Sequence, residues 1–295
     1  MQTIEGIKRR IDNTQDLMSI VRTMKTLAAI NIRQYERAVE SLANYNRTIE
    51  MGFQILLRNL PEEVSLAKNT QHTTLGIIIF GSDQGMCGQF NEQIGNLAME
   101  ELARLWLPKA DRLILALGAR LTAYLEALEQ PLDEAWALPG SVGGITPLIQ
   151  DIVMKIDTWR ERQGVNRVVL FYNRPLTGAG YYPHKVTLLP VNWEYLRRQA
   201  RKEWGSRTLP MFTMDWQPLL SALLRQYLFV SLYRAFAESL MSENASRLAT
   251  MQAAERNIED HMEALNALYH QERQRSITEE LLDIVAGFEA LTNSN

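Results

Sequence analysis

The chain has 295 residues, of which 46% are hydrophobic, and a formal net charge of −3 at pH 7. This composition predicts an ordinary globular protein of one large or two modest domains. The net charge lacks the strong positive excess that is typical of nucleic-acid-binding proteins. The single cysteine, Cys87, excludes an internal disulfide, and no run approaches the roughly 18 apolar residues that a membrane-spanning helix needs.

Residues 1–60 carry a continuous helical pattern. Apolar side chains recur there in alternating steps of three and four residues, and no proline comes before Pro61. This periodicity is typical of a coiled-coil seam. An ordinary amphipathic helix packed on a core is the simpler alternative. The stripe consists of Ile4, Ile7, Ile11, Thr14, Met18, Val21, Lys25, Ala28, Ile32, Tyr35, Val39 and Leu42.

The middle of the chain alternates strand and helix patterns. After a polar linker predicted at 61–74, the run at 75–81 is short, apolar and β-branched, as in a buried parallel strand. This order predicts a Rossmann-like α/β domain over residues 75–208, with a mostly parallel sheet, helices on both faces and an antiparallel last strand. Further strands are predicted at 112–118, 167–172 and 185–191, and helices at 89–107, 119–129 and 146–163.

A glycine-rich turn at 81–88 follows the first predicted strand. Such a turn places backbone N–H groups at a helix N-terminus, where they could bind a phosphate. The glycine spacing matches neither the dinucleotide-binding fingerprint nor a Walker loop, so we favour a tight turn with close helix–strand packing. The histidines show no metal-ligand spacing and no catalytic triad can be recognised. The residues therefore predict neither a metal nor a cofactor.

The last part of the chain, residues 209–295, is predicted to be one long helix. It has no proline after Pro218 and no glycine before Gly287. An unbroken helix of this length spans roughly 120 Å, whereas a compact globule of this chain length is about 40 Å across. We therefore expect the helix to project and to pair antiparallel with residues 1–60. Its apolar stripe consists of Tyr233, Phe236, Leu240, Leu248, Met251, Ile258, Met262, Leu265, Tyr269, Ile277, Leu281, Ile284, Phe288 and Leu291.

A polar run at 273–280 interrupts this apolar pattern. Ser276 or Thr278 could begin a new helix, with Glu279 and Glu280 in its first turn. Alternatively, the helix continues and the run forms a polar collar that hydrogen-bonds a surrounding partner. The residues alone favour neither interpretation.

Motifs at both ends and in the middle of the chain match one family. Residues 81–91, 242–254 and 273–281 resemble its signatures S/T-D-R-G-L-C-G-G-x-N, S-E-x-x-A-R-M-x-A-M-x-x-A and R-Q-A-x-I-T-x-E-L. Residues 7–11 and 24–29 are similar to its I-K-x-R-I and M-K-M-V-A-A motifs. The family that these motifs resemble is the gamma subunit of F-type rotary ATP synthases.

The resemblance implies a central rotor shaft. Its coiled coil would enter an α3β3 catalytic hexamer, and its α/β domain would stand as a foot on the membrane-embedded c-ring beside the ε subunit. Such a chain performs no bond chemistry and needs no cofactor or nucleic acid. It would meet the membrane only through the c-ring, on the cytoplasmic face of a bacterial inner membrane.

The resemblance also implies two sets of site residues. Family matching assigns contacts with the α and β subunits to Met24, Ala28, Arg247, Gln274, Thr278 and Glu280. Family matching also assigns a role to five residues of the foot-domain turn, either a structural role or a contact with the c-ring or ε. These residues are Asp83, Gly85, Cys87, Gly88 and Asn91.

Several positions depart from the family pattern, which indicates a divergent branch such as an alternative F-type ATPase. Two other hypotheses stay open. The chain could be a coiled-coil tether that carries an α/β domain to another complex, or a nucleotide-binding α/β enzyme that uses the turn at 81–88. The departing positions are Asn31, Gln84, Gln89, Arg275 and Phe288.

Overall fold

The computed structural model describes residues 3–59, 74–105, 108–176, 180–201, 204, 208 and 210–292. The linker predicted at 61–74 lies outside these residues, apart from Thr74, which begins a strand. The chain divides into two compact units. The larger unit is Ala28–Arg247, and the smaller one combines Met1–Leu27 with Leu248–Asn295.

The helices and strands follow the predicted order, with two additions. The short strand β3 and the helix α5 were not predicted from the sequence. The strands are β1 Thr74–Phe80, β2 Arg112–Leu117, β3 Glu134–Trp136, β4 Val165–Pro175 and β5 Tyr181–Leu189. The helices are α1 Ile4–Asn59, α2 Phe90–Arg104, α3 Ala119–Ala127, α4 Ile145–Gln163, α5 Trp193–Ala200 and α6 Trp216–Thr292, with 3-10 turns at Lys109–Asp111 and Val142–Gly144.

The five described strands form one sheet in the order β3-β2-β1-β4-β5. The pairs β3–β2, β2–β1 and β1–β4 are parallel, and β5 runs antiparallel along β4. In the central strand, Ile77 lies opposite Ile114 of β2 and Val169 of β4. The predicted mostly parallel sheet with an antiparallel last strand is confirmed.

Alternate residues of β1 contribute to two separate apolar layers, because side chains of a strand point to opposite faces in turn. Ile77 and Ile79 pack in the layer that contains buried residues of α2 and α3. Ile78 and Phe80 pack in the layer that contains α4 together with Tyr35 of α1 and Phe236 of α6. Helices therefore cover both faces, as predicted, and parts of both long helices belong to the core of the larger unit.

The two long helices are uninterrupted, with 56 residues in α1 and 77 residues in α6. The polar run at 273–280 lies inside α6, so the hypothesis that a new helix begins at Ser276 or Thr278 is wrong. The predicted start of the last helix at residue 209 is also too early, since α6 begins at Trp216.

In each unit, α1 and α6 run antiparallel. In the smaller unit, Arg22 contacts Glu259 and Glu255, and Lys25 also contacts Glu255. In the larger unit, Asn31 hydrogen-bonds Asn244, and Tyr45 donates to Gln226. The predicted pairing of the two helices is confirmed by these contacts.

The two predicted stripes differ at their ends. No member of the α1 stripe is exposed, and the α6 stripe is at least half-buried from Tyr233 to Tyr269. Beyond that point the prediction of a covered seam is wrong, since Ile277, Leu281 and Ile284 are exposed to 48%, 58% and 68%. Helical spacing predicts which side chains share a face, but it does not predict where the covering helix ends.

Candidate functional site

The turn at 81–88 lies at the carboxyl end of β1, where the strand order reverses. The chain passes from β1 to β2 and β3, and it returns as β4 on the other side of β1. In open α/β sheets, the crevice at such a point is where ligands usually bind. This edge is therefore the first place to look for a site.

The backbone and side-chain groups of this turn are largely satisfied within the domain. The Gly81 N–H donates to the Leu117 carbonyl at 2.8 Å, and the Ser82 N–H donates to Asn91 Oδ1 at 2.9 Å. The amide of Asn91 in turn donates to Ser82 Oγ at 2.9 Å. Asn91 thus fastens the turn to the first turn of α2, and these two N–H groups do not point to an open phosphate site.

Asp83 joins the turn to two other segments. One carboxylate oxygen accepts the N–H of Ala119, at the start of α3, and the other accepts the N–H of Leu138, each at 2.8 Å. A carboxylate at a helix N-terminus is favoured by the helix dipole and by the unpaired N–H groups there. Asp83 therefore has a structural role that its place in a phosphate-loop-like turn does not suggest.

The glycines and the cysteine of the turn are constrained by packing. A Cβ on Gly81 would lie 2.2 Å from Leu121 Cβ, and Gly88 has a positive φ of 58° that favours glycine. Gly85 has more room, because the nearest atom to a Cβ there would be 3.5 Å away on Arg120. Cys87 is buried, and burial raises the pKa of its thiol, which argues against a reactive thiolate.

The crevice beside this turn is occupied by the protein's own helix α6. Ser246 Oγ donates to the Cys87 carbonyl at 2.6 Å, and Arg247 Nη2 lies 3.4 Å from the Gln84 carbonyl. A ligand at this edge would have to displace α6. A series of buried polar side chains on α6 lines this region: Glu238, Ser239, Ser242, Glu243, Asn244, Ser246 and Arg247.

Two acidic residues of this series are paired within the domain. The side chains of Glu243 and Arg247 are less than a tenth exposed and form an ion pair at 2.6 Å. Burial raises the pKa of Glu243, and the Arg247 guanidinium opposes this shift. Glu238 accepts a hydrogen bond from the Tyr172 hydroxyl at 3.0 Å and lies 3.5 Å from Arg174. Buried charges of this kind need such partners to remain in the core.

The structure places the predicted partner-contact residues in different environments. Arg247 is buried and paired, Ala28 is 1% exposed, and Met24 is half-buried. Gln274, Thr278 and Glu280 are exposed on α6, although the Thr278 hydroxyl donates to the Gln274 carbonyl of its own helix at 2.9 Å. The larger unit thus holds Arg247 against the turn at 81–88, where it reaches the Gln84 carbonyl, rather than presenting it to solvent.

The smaller unit exposes apolar side chains on both of its helices. Apolar side chains exposed on successive turns of one helix, as at 277–285, usually mark an interaction surface. On α1 the exposed residues are Leu17, Ile20 and Leu27, and on α6 they are Ile277, Leu281, Leu282, Ile284 and Val285. The sequence did not reveal this exposure, because the same spacing also predicts a covered seam.

Within the described ranges, no three His, Cys, Asp or Glu side chains come close enough together to hold a metal ion. The helices of those ranges also include none that is long and apolar enough to cross a membrane.

Comparison with known proteins identifies the family. A family model described as ATP synthase matches residues 3–291. The ATP synthase gamma chain of Cyanothece sp. (strain PCC 7425 / ATCC 29141) is 26% identical over 99% of this chain and 100% of its own length. That of Granulibacter bethesdensis is 27% identical over the same shares. The chain belongs to the ATP synthase gamma-chain family. The resemblance predicted from the motifs is confirmed.

Solved structures share the fold of this gamma-family chain. A chain of the Euglena gracilis mitochondrial ATP synthase OSCP/F1/c-ring structure has a TM-score of 0.62 and 17% identity, with 98% of this chain and 94% of that chain covered. A chain of the Tetrahymena thermophila mitochondrial ATP synthase central stalk/c-ring structure has a TM-score of 0.57 and 20% identity, with 80% and 99% covered. The gamma-family fold therefore extends over both long helices and the α/β domain.

Proposed function

We propose that this gamma-family chain is the central rotor shaft of an F1-type ATP synthase, and that it couples ion flow through a c-ring to ATP synthesis or hydrolysis in an α3β3 hexamer. Family membership over residues 3–291 carries this proposal. The chain catalyses no bond chemistry itself. It stands on the c-ring beside ε, at the periphery of the cytoplasmic face of a bacterial inner membrane.

The physical properties of the two long helices support a mechanical role. A shaft must resist bending and twisting, and α1 and α6 are uninterrupted helices with a packed apolar seam. Ion pairs of Glu255 with Arg22 and Lys25 link the helices in the smaller unit. Individually, ion pairs near the surface contribute little to stability, but these two join defined positions of the two packed helices.

We assign the exposed apolar residues at 277–285 of α6 to contact with the α3β3 hexamer. Three polar residues beside them, Gln274, Thr278 and Glu280, are exposed and available for hydrogen bonds with the β subunits. Met24 belongs to the same proposed contact set, and Ala28, which is 1% exposed, can join it only if the side chains that cover it move. Arg247 can join it only if its guanidinium leaves Glu243, because the two side chains are paired at 2.6 Å.

The nucleotide-binding alternative loses its main support. The turn at 81–88 uses the N–H groups of Gly81 and Ser82 internally, and α6 occupies the crevice beside it. We expect equilibrium dialysis of the isolated chain to show no saturable nucleotide binding. Saturable binding would restore the enzyme hypothesis.

The decisive experiment is co-expression of this chain with the α and β subunits of the same organism. We expect gel filtration to give a stable complex with one copy of this chain per α3β3 hexamer, and that complex to hydrolyse ATP continuously. If the chain elutes alone while α and β assemble with another gamma chain, the shaft proposal is wrong and the tether hypothesis takes its place.

A further inference from the structure

The α/β domain contacts α6 in two physically different ways. Apolar side chains of α6, such as Leu232 and Phe236, pack in the same layer as Ile78 and Phe80 of β1. The hydrophobic effect that holds these two surfaces together is non-directional. Polar contacts with defined geometry add a directional constraint on the rotation of the helix about its own axis.

Such contacts occur where α6 crosses the turn at 81–88. Ser246 donates to the Cys87 carbonyl at 2.6 Å, and Arg247 reaches the Gln84 carbonyl at 3.4 Å while it is held by Glu243. We call these five residues the clasp. All of its side-chain members are buried, so water cannot readily replace the lost partner if one contact opens.

The turn in the clasp is anchored to the rest of the domain. Asp83 accepts the N–H groups of Ala119 and Leu138, which lie beyond β2 and β3, and Asn91 ties Ser82 to α2. A force applied anywhere on the sheet therefore reaches the turn through hydrogen bonds. From the turn it reaches α6 through Ser246 and Arg247.

We propose that the clasp is the joint that transmits torque from the α/β domain to α6. This inference rests on the proposed shaft function and adds to it the residues that carry the load. Arg247 and Ser246 are positioning residues in this proposal, since they act by fixing the turn against the helix.

The chain offers a matched control for Ser246. Ser242 lies one turn earlier on α6 and is also buried, but its hydroxyl donates to the Glu238 carbonyl of its own helix at 2.8 Å. Ser246→Ala removes a donor from the turn, whereas Ser242→Ala makes the same chemical change without touching the turn. Any difference between the two variants therefore reports on the clasp.

The experiment uses the α3β3 complex with this chain, immobilised through its β subunits. A bead is attached to an introduced cysteine at Ala103, which is exposed on α2, while burial shields the native Cys87 from the labelling reagent. The angular variance of the bead during ATP-waiting pauses measures the torsional compliance between the domain and the hexamer. Because loss of a buried hydrogen bond shifts a local opening equilibrium by roughly fivefold, we expect Ser246→Ala to raise this variance above that of the unsubstituted complex.

The expected pattern is a raised variance in Ser246→Ala and an unchanged variance in Ser242→Ala. Equal variances in the two variants would refute the proposal that the clasp transmits torque, but they would not affect the proposed shaft function. If the unsubstituted complex assembles but does not rotate, the shaft function itself fails and the inference fails with it.

If the Ser246→Ala chain does not assemble with α3β3, the same measurement is made on Arg247→Lys. A lysine ammonium keeps the charge beside Glu243, but it cannot reproduce the planar fork that also reaches the Gln84 carbonyl. A raised variance supports the clasp. An unchanged variance with slower ATP hydrolysis would instead indicate that Arg247 acts on a β subunit.

Discussion

The role of Asp83 as an anchor between three segments can be tested by Asp83→Asn. The carboxylate accepts two backbone N–H groups at 2.8 Å, from Ala119 and Leu138. An asparagine side chain keeps one acceptor oxygen and places an NH2 group against the second N–H donor. Loss of one charge-assisted bond and an unsatisfied donor should together cost about 2–3 kcal/mol of unfolding free energy.

Tryptophan fluorescence is a suitable assay, because all tryptophans of the chain lie between residues 106 and 216 and therefore in the larger unit. For a unit of this size, the expected loss corresponds to a fall in the thermal midpoint of about 4–10 °C. Asp157→Asn is the matched control, since Asp157 is exposed and forms a loose ion pair with Arg160 at 3.8 Å. If Asp83→Asn shifts the midpoint no more than this control, the anchoring argument is wrong.

Three further predictions concern other parts of the chain. Gly81→Ala should strongly destabilise the α/β domain, because its Cβ would meet Leu121 Cβ at 2.2 Å; a midpoint within experimental error of the unsubstituted chain would contradict this. Leu281→Ser should leave the unfolding curve of the free chain unchanged, because Leu281 is 58% exposed, while it weakens co-purification with α3β3. A hydrogen bond from Lys185 lowers the pKa of Glu101 below its ordinary value of 4.5. The Glu101 carboxylate therefore stabilises the fold above pH 4.5, and this contribution is lost as the pH falls through the lowered pKa. Glu101→Gln should therefore make the free energy of unfolding fall less steeply as the pH is lowered, as measured by fluorescence-detected unfolding.

The sequence predicted those elements whose local pattern is strong. The long helices follow from sustained three-and-four spacing, and β1, β2 and β4 from continuous apolar, β-branched runs. The two missed elements have weak patterns. The strand β3 contains only Glu134, Ala135 and Trp136, and α5 has eight residues, barely two turns, so neither is long enough for its period to stand out.

The sequence also named candidate site residues, whose contacts with partners remain predictions. Asp83, Cys87, Gly88 and Asn91 were assigned from a family motif, and the structure gives Asp83 and Asn91 specific hydrogen-bond partners. The partner contacts of Gln274, Thr278 and Glu280 remain predictions, supported by their exposure. Ser246 lies within a matched motif, but nothing in its local sequence distinguishes it from Ser242.

By itself, the sequence determined the long helices, the central strands and the family, because periodicity and motifs are properties of neighbouring residues. Only the tertiary structure decided what the polar residues of α6 do. Ser246 and its partner Cys87 are 159 positions apart, and Arg247 and Gln84 are 163 apart. Whether a polar side chain at helical spacing faces solvent or holds a distant turn depends on which segment packs against it, and that is fixed only when the whole domain has folded.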